Sequence, residues 1–195
     1  MCGFTGITFN KSKDLYTWYH KRFDKAYQYI KTRGPDDKGI WVDKNSYFLH
    51  ARLSILDIKK VASQPMEFKE NVICYNGEIY NFQDIRNTLI SKGYTFKTKG
   101  DTEVILKSWT EWGKDMLSKL DGMFSISIWN KKEKTLFLAR DRFGKKPLVY
   151  TLGSDHIAFS SDIRSLDKIA DSGGINHSSI ESLFRFRFIR EPMTI

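Results

Sequence analysis

Cysteine is scarce in this chain. Its 195 residues include only Cys2 and Cys74, with no CxxC pair and no metal-like spacing to the four histidines. That argues against a disulfide framework and a structural metal, and leads us to expect a reducing, cytoplasmic setting. Long apolar runs are also missing. None approaches the ~20 residues of a membrane span, and no charged-then-apolar leader opens the sequence, so no membrane partner is expected. Acidic residues are outnumbered, 23 against 32 Lys and Arg, for a formal net charge of +9. Such an excess invites a nucleic-acid reading, but the lysines are spread through turns such as Asn130-Lys131-Lys132-Glu133-Lys134, as on a solvated surface. The densest exception is Phe184-Arg185-Phe186-Arg187-Phe188-Ile189-Arg190, where cations and rings interleave as in single-strand binders. The same alternation describes a strand with one buried face, and no nucleic-acid partner is expected.

What remains is an ordinary globular balance, 41% hydrophobic and 28% charged, long enough for one large domain. Residues 2–9 suggest a buried first strand. From Lys13 to Thr32, Leu15, Trp18, Tyr19, Phe23, Ala26, Tyr27 and Ile30 keep the rhythm of one apolar helical face, until Arg33-Gly34-Pro35-Asp36 breaks it. A hairpin follows, Ile40–Val42 and Tyr47–Leu49, with the turn at 43–45. Helices are expected at about 82–92 with Asn81 as cap and 102–112 with Asp101 as cap, and a helical turn at 114–120. Beyond Gly122 come short strands at 123–129, 135–139, 148–151 and 157–159, whose tight polar turns imply antiparallel neighbours. Helices and strands in blocks argue for an α+β layered domain. Cys74, in the run Val72-Ile73-Cys74-Tyr75, reads as a buried small hydrophobe.

Cys2 directly follows the initiator methionine. If Met1 is trimmed, Cys2 carries its thiol and a free α-amine within one residue, and an α-amine titrating near ~8 can take the thiol proton. Tyr75-Asn76-Gly77-Glu78-Ile79-Tyr80-Asn81 is read as leaving a strand for a turn, where the Asn76 amide and Gly77 N–H could stabilise an oxyanion. Arg52 could grip a carboxylate, and Glu78 with Asp101 an ammonium, so the three would suit a free α-amino acid. Taken singly, plainer readings win: Cys2 an accident of composition, Asn76-Gly77 a simple turn, Arg52 a surface ion pair, Asp101 a helix cap.

The combination decides. Cys2-Gly3-Phe4-Thr5-Gly6-Ile7, Arg33–Asp36, Arg52-Leu53-Ser54-Ile55-Leu56-Asp57, Gln64-Pro65-Met66, Tyr75–Asn81, Gly100-Asp101-Thr102-Glu103-Val104, Asp121-Gly122-Met123-Phe124 and Ala139–Leu148 occur in this order. Over residues 2 to about 170, and weakly beyond, the chain closely resembles the class II glutamine amidotransferase domain of glutamine-dependent asparagine synthetases. The resemblance implies a four-layer αββα N-terminal-nucleophile hydrolase sandwich with two antiparallel sheets. It also implies Cys2 as nucleophile, Asn76 and Gly77 as oxyanion hole, Arg52 on the α-carboxylate of L-glutamine, and Glu78 and Asp101 on its α-ammonium. Backbone of Leu53, Ser54, Ile55 and Leu56 would line the pocket, and Arg140–Pro147 would steady a loop. Residues 2–174 are then a glutaminase domain without cofactor or metal. Residues 175–195 would start a linker to an absent synthetase domain that uses Mg-ATP. Ala62-Ser63 departs from the family's usual two glycines, and Ser161–Leu166 from its usual Ser-Glu-x-Lys-x-Leu. Ser172-Gly173-Gly174 echoes a pyrophosphate loop without its aspartate and reads as a turn. The ammonia acceptor stays open, a sugar carboxylate being an alternative to aspartate, as does a homodimer. A basic binding module is the remaining rival class.

Overall fold

Two antiparallel sheets face each other across a layer of large apolar side chains, and helices cover both outer faces. The computed structural model describes residues 1–12, 15–171, 173–190 and 193–194, except the side chains of 15, 16 and 18. The expected helix start at Lys13, the side chains of Leu15 and Trp18, Ser172 of the pyrophosphate-loop echo, and residues 191, 192 and 195 lie outside the described residues.

The first sheet has the order β2 (Asp37–Val42), β3 (Ser46–Arg52), β1 (Gly3–Phe9), β9 (His156–Ser160), β8 (Val149–Leu152). The second runs β4 (Met66–Phe68), β5 (Asn71–Ile79), β6 (Gly122–Asn130), β7 (Thr135–Arg140). Between them Phe4, Phe48, Val72, Cys74, Trp129 and Phe159 are buried together. On the outer face of the first sheet, α1 (Leu15–Ile30) seats Phe23, Ala26 and Ile30, and α4 (Ile163–Ile169) seats Leu166 and Ile169. On the outer face of the second, α2 (Phe82–Ser91) and α3 (Asp101–Trp112) bury Ile85, Leu89, Val104, Ile105 and Leu106. The period-3.6 stripes of the helices and the two-sided burial of the central strands produce the four layers.

Gly6 sits in the register between Phe48 on one neighbour and Phe159 on the other. Their rings meet over it edge to face, centroids 5.3 Å apart, and a Cβ on Gly6 would come within 2.7 Å of Phe48. At the cleft end the sheets are tied by His50, whose Nε2 donates to the Tyr75 carbonyl at 3.1 Å. Burial lowers the His50 pKa to about 4 and keeps the ring neutral, although the bond to Tyr75 favours the charged form.

Several expectations are corrected. Asn76 and Gly77 are not in a turn: β5 runs through to Ile79, and Gly77 pairs with Phe124. An added Cβ at Gly77 would clash with Met123 O and the Tyr75 ring, so glycine here serves close strand packing, not turn formation. β6–β7 and β8–β9 are antiparallel neighbours as expected, but β7 and β8 belong to different sheets, and residues 141–148 cross between them. Asn81 is the cap residue of α2 as expected, but its side chain makes no cap bond; its amide instead donates to Lys119 O and accepts from Asp121 N. Gly100, not Asp101, is the cap residue of α3. Short strand β4 and helix α4 were not anticipated. The alternating segment near the C-terminus is not a strand: helix α5 (His177–Phe186), capped by Asn176, whose side chain accepts from Ser179 N, takes up its start and ends before Arg187. Its rings Phe184 and Phe186, with Phe188 beyond, are exposed, so no buried face supports the alternation.

Because the Phe48–Phe159 contact fills the space over Gly6, Gly6→Ala should cost about 1–3 kcal/mol through overpacking. Equilibrium urea unfolding, read as a lower midpoint at unchanged slope, checks this.

Candidate active site

The β1–β3 register opposes Gly3 to Ala51, which sets Cys2, one residue earlier, beside the end of β3. There the Cys2 thiol lies 3.4 Å from Leu53 N, which donates to it, and 3.7 Å from Leu53 O. Arg33 Nε donates to Cys2 O at 3.1 Å and pins the strand entry from the helix side. Burial raises the thiol pKa, while the Leu53 N–H, the chain's amino-terminal charge and Arg52 pull it back down. Asp101 opposes them.

Arg52 closes β3 and is buried. Its guanidinium donates to Lys59 O at 3.2 Å, Ser63 Oγ at 3.3 Å and Asp57 O, all neutral acceptors in the loop it supports. Among the described residues it has no carboxylate partner, so its charge is free to meet one at the cleft. Asp57 fixes the same loop to the start of α3, accepting from Lys59 N at 3.0 Å and Lys99 N at 2.8 Å, which hold its pKa below the usual carboxylate range. Asp36 takes Ser54 N at 2.7 Å.

Asp101 is buried at the first turn of α3. Its carboxylate accepts from Tyr75 OH at 2.7 Å and Ile79 N at 3.1 Å; burial raises its pKa although these bonds oppose the rise. The Tyr75 hydroxyl is pushed well up by its own burial and by Asp101, so it remains a donor. Gln64 lies on the same wall, accepting from Tyr75 N at 2.6 Å and donating to Thr102 Oγ1 at 3.3 Å. Asn76, 1% exposed, has its Nδ2 buried with no partner among the described residues. An amide donor left unpaired costs about 1–3 kcal/mol, a sign that something else is meant to receive it.

These groups line one cleft of about 110 Å³: Met1, Cys2, Arg52, Leu53, Ile55, Leu56, Asn76, Gly77, Glu78 and Asp101, with Asp57, Gln64, Tyr75 and Thr102. It is smaller than the ~300–1,000 Å³ of drug-sized pockets, a scale that suits an amino acid rather than a nucleotide. Of the residues expected from sequence, Ser54 alone is outside the lining. Its N–H is already taken by Asp36, which gives Arg33–Asp36 a supporting role that the sequence did not disclose. Tyr75 and Gln64 were missed as site residues. Both lie inside quoted motifs, and the signal was a buried carboxylate needing neutral donors. Among the described residues no cluster of three His, Cys, Asp or Glu could hold a metal, and no helix is long and apolar enough to cross a membrane.

The crossing from β7 to β8 supplies the last wall. Burial would raise the Asp141 carboxyl, but N–H groups of Lys145, Lys146, Phe124 and Phe143 donate to it and hold it below its ordinary value. Arg140 Nε donates to Lys146 O at 2.8 Å. The loop so formed carries the buried Lys146 to Met1, its Nζ 2.8 Å from the thioether sulfur.

A four-layer αββα sandwich with a thiol at the head of its first strand, facing a cleft at one end, is the architecture of the N-terminal-nucleophile hydrolases. The fold is shared with a solved glutamine phosphoribosylpyrophosphate (PRPP) amidotransferase from B. subtilis, at TM-score 0.65 and 19% identity over 86% of this chain and 43% of that one. A second structure, of the allosteric regulatory enzyme of purine biosynthesis, matches at TM-score 0.65 and 20% identity with the same coverage. The glutamine amidotransferase domain family model matches residues 1–195, and the chain belongs to that family. It is 39% identical over 198 residues to the glutamine-hydrolyzing asparagine synthetase 1 of Bacillus subtilis, covering all of this chain and 31% of that protein. With the asparagine synthetase 3 of the same organism the identity is 34% over 200 residues, covering 32% of it. The chain thus spans about a third of the length of these relatives.

Because the folded Asp141 pKa is depressed, its stabilisation is present above the unfolded value near ~3.9 and is lost as pH falls through the folded one. Asp141→Asn should therefore lower the melting temperature at pH 7, by roughly 4–8 °C for about 2 kcal/mol of lost hydrogen bonding. The gap to wild type should narrow in melts taken below pH ~4.

Proposed function

We propose that this chain is the glutaminase domain of an asparagine-synthetase-like amidotransferase, and that it hydrolyses L-glutamine to glutamate and ammonia. The observation that carries the reading is the Asn76 amide, without a partner among the described residues, in the cleft that holds the Cys2 thiol. With Met1 removed, the Cys2 α-amine takes the thiol proton and Sγ attacks the γ-carboxamide carbon. The oxyanion is received by Asn76 Nδ2 and the Gly77 N–H, where no side chain intervenes. As the tetrahedral species collapses, the C–N bond breaks and the protonated amine gives its proton to the departing ammonia. Water, deprotonated by the same amine, then cleaves the thioester, releasing glutamate and restoring the thiol. Arg52, a cation without a carboxylate partner among the described residues, receives the α-carboxylate, and exposed Glu78 with buried Asp101 receives the α-ammonium. Leu53, Ile55 and Leu56 close the pocket.

The ammonia is destined for a carboxylate activated with Mg-ATP in a separate synthetase domain, aspartate being the acceptor that the relatives' names suggest. No step above passes through that nucleotide. Residues 2–174 would be the glutaminase unit, and those from 175 would begin the connection. A reducing cytoplasm suits a chain that depends on a free thiol.

Ammonia release from glutamine tests the reading. Protein with Met1 trimmed, verified by mass, should be active, whereas Cys2→Ala and Met1-retaining protein should be inactive. Ammonia release by Cys2→Ala at the wild-type rate would overturn the mechanism. In steady-state kinetics, Asn76→Ala should lower kcat about 10²–10³-fold, the usual cost of losing one oxyanion donor. Arg52→Ala should act mainly by raising KM.

A further inference from the structure

Lys146 is 5% exposed, a depth at which an ammonium is ordinarily paired with a carboxylate. Here its one acceptor among the described residues is the Met1 thioether, a weak acceptor, at 2.8 Å. The charged groups acting on it come from three other places and from its own loop. Arg33, from the segment after α1, repels it; Glu78 from β5, Asp141 from its own loop and Cys2 at the head of β1 attract it. Asp141 is already saturated by four backbone donors. Arg33 is bonded through Nε to Cys2 O, and its buried NH2 has no partner among the described residues. Two incompletely neutralised cations therefore flank residues 1 and 2. Arg52 and Asp101 act on the Cys2 thiol from the far side.

We propose that Lys146 is a positioning residue for the N-terminal base, its ammonium keeping the trimmed Cys2 α-amine uncharged and favouring the thiolate over the thiol. Removal of Met1 takes away the thioether and leaves the α-amine of Cys2 as the neighbouring terminal group. A fixed cation beside an amine disfavours its protonated form, and beside a thiol it favours the anion. The second effect opposes the burial that raises the thiol. Neutral Lys146 would not do this, and burial and Arg33 lower its pKa; Glu78, Asp141 and Cys2 act the other way and favour the charged form. The inference rests on the N-terminal-nucleophile reading above.

The test uses Met1-trimmed wild type, Lys146→Met, Lys146→Gln and Lys146→Arg, each first checked by thermal melting. The pH dependence of kcat/KM for ammonia release is measured together with the pH dependence of Cys2 alkylation by iodoacetamide without glutamine. Cys74 stays silent in the second assay because it is fully buried and burial pushes its thiol far up. In the neutral variants the acidic limb of both profiles should move to higher pH by about one unit, the scale of one nearby charge in partly buried surroundings. Lys146→Arg should return it. Superimposable profiles in any folded neutral variant that still releases ammonia would overturn the role of Lys146 alone. An equal displacement in Lys146→Arg would do the same, since it would mark a packing effect. Absence of ammonia release from trimmed wild type would instead sink the glutaminase reading.

Discussion

The pairing of β1 with β3 is the constraint on which the cleft depends. With Gly3 opposite Ala51, the residue before β1 must lie against the last residue of β3, so Cys2 meets Arg52 and the Leu53 that directly follows it. A slip of one residue would turn Phe4 and Ile7 to the wrong faces, and the two cores on either side of the sheet forbid it. The second sheet is registered to the first by the layer between them and by neutral His50, which holds the Tyr75 carbonyl. Asn76 follows directly, so its amide is carried to the thiol by two rigid sheets.

Carboxylates organise the loops around that frame. Asp36, Asp57, Glu103 and Asp141 each accept backbone N–H groups from a turn that borders or supports the cleft. Glu103 takes the Lys97 and Thr98 amides and pairs with Lys107 at 2.6 Å, which fixes the approach to α3 and hence Asp101. A carboxylate saturated in this way is structurally committed and contributes little free charge. The chain's excess of cations is therefore felt where acceptors run out, at Arg52 and at the amino terminus.

Much of this was legible. The apolar stripe of α1, the hairpin β2–β3 and the short strands after Gly122 follow from periodicity, because their packing partners match their local preference. Of the ten site residues that the motif order led to, nine line the cleft. What failed was tertiary in origin. Asn76-Gly77 reads as a turn to any local rule, yet β6 pairs through it because the packing of Met123 and Phe124 needs an absent side chain. The alternation of Phe184–Phe188 has strand period but no sheet edge to join, and the Asn176 cap starts a helix instead. Tyr75 and Gln64 could not be assigned locally, since their roles come from α3 and β5 meeting in space. Lys146 was read as part of a loop, and its approach to Met1 depends on a sheet-to-sheet crossing that the sequence did not show.

The vacancy at Gly6 reaches beyond stability. Phe48, Phe159 and Gly6 come from three strands far apart in the chain, yet they share one volume. Drift at any of them is confined by the other two: a larger residue at 6 needs a smaller ring position on a flanking strand, and loss of a ring makes room at 6. Among descendants of this sequence the three positions should change as a set, leaving a long-range covariation that marks the mid-plane of the sandwich independently of the chemistry at its end.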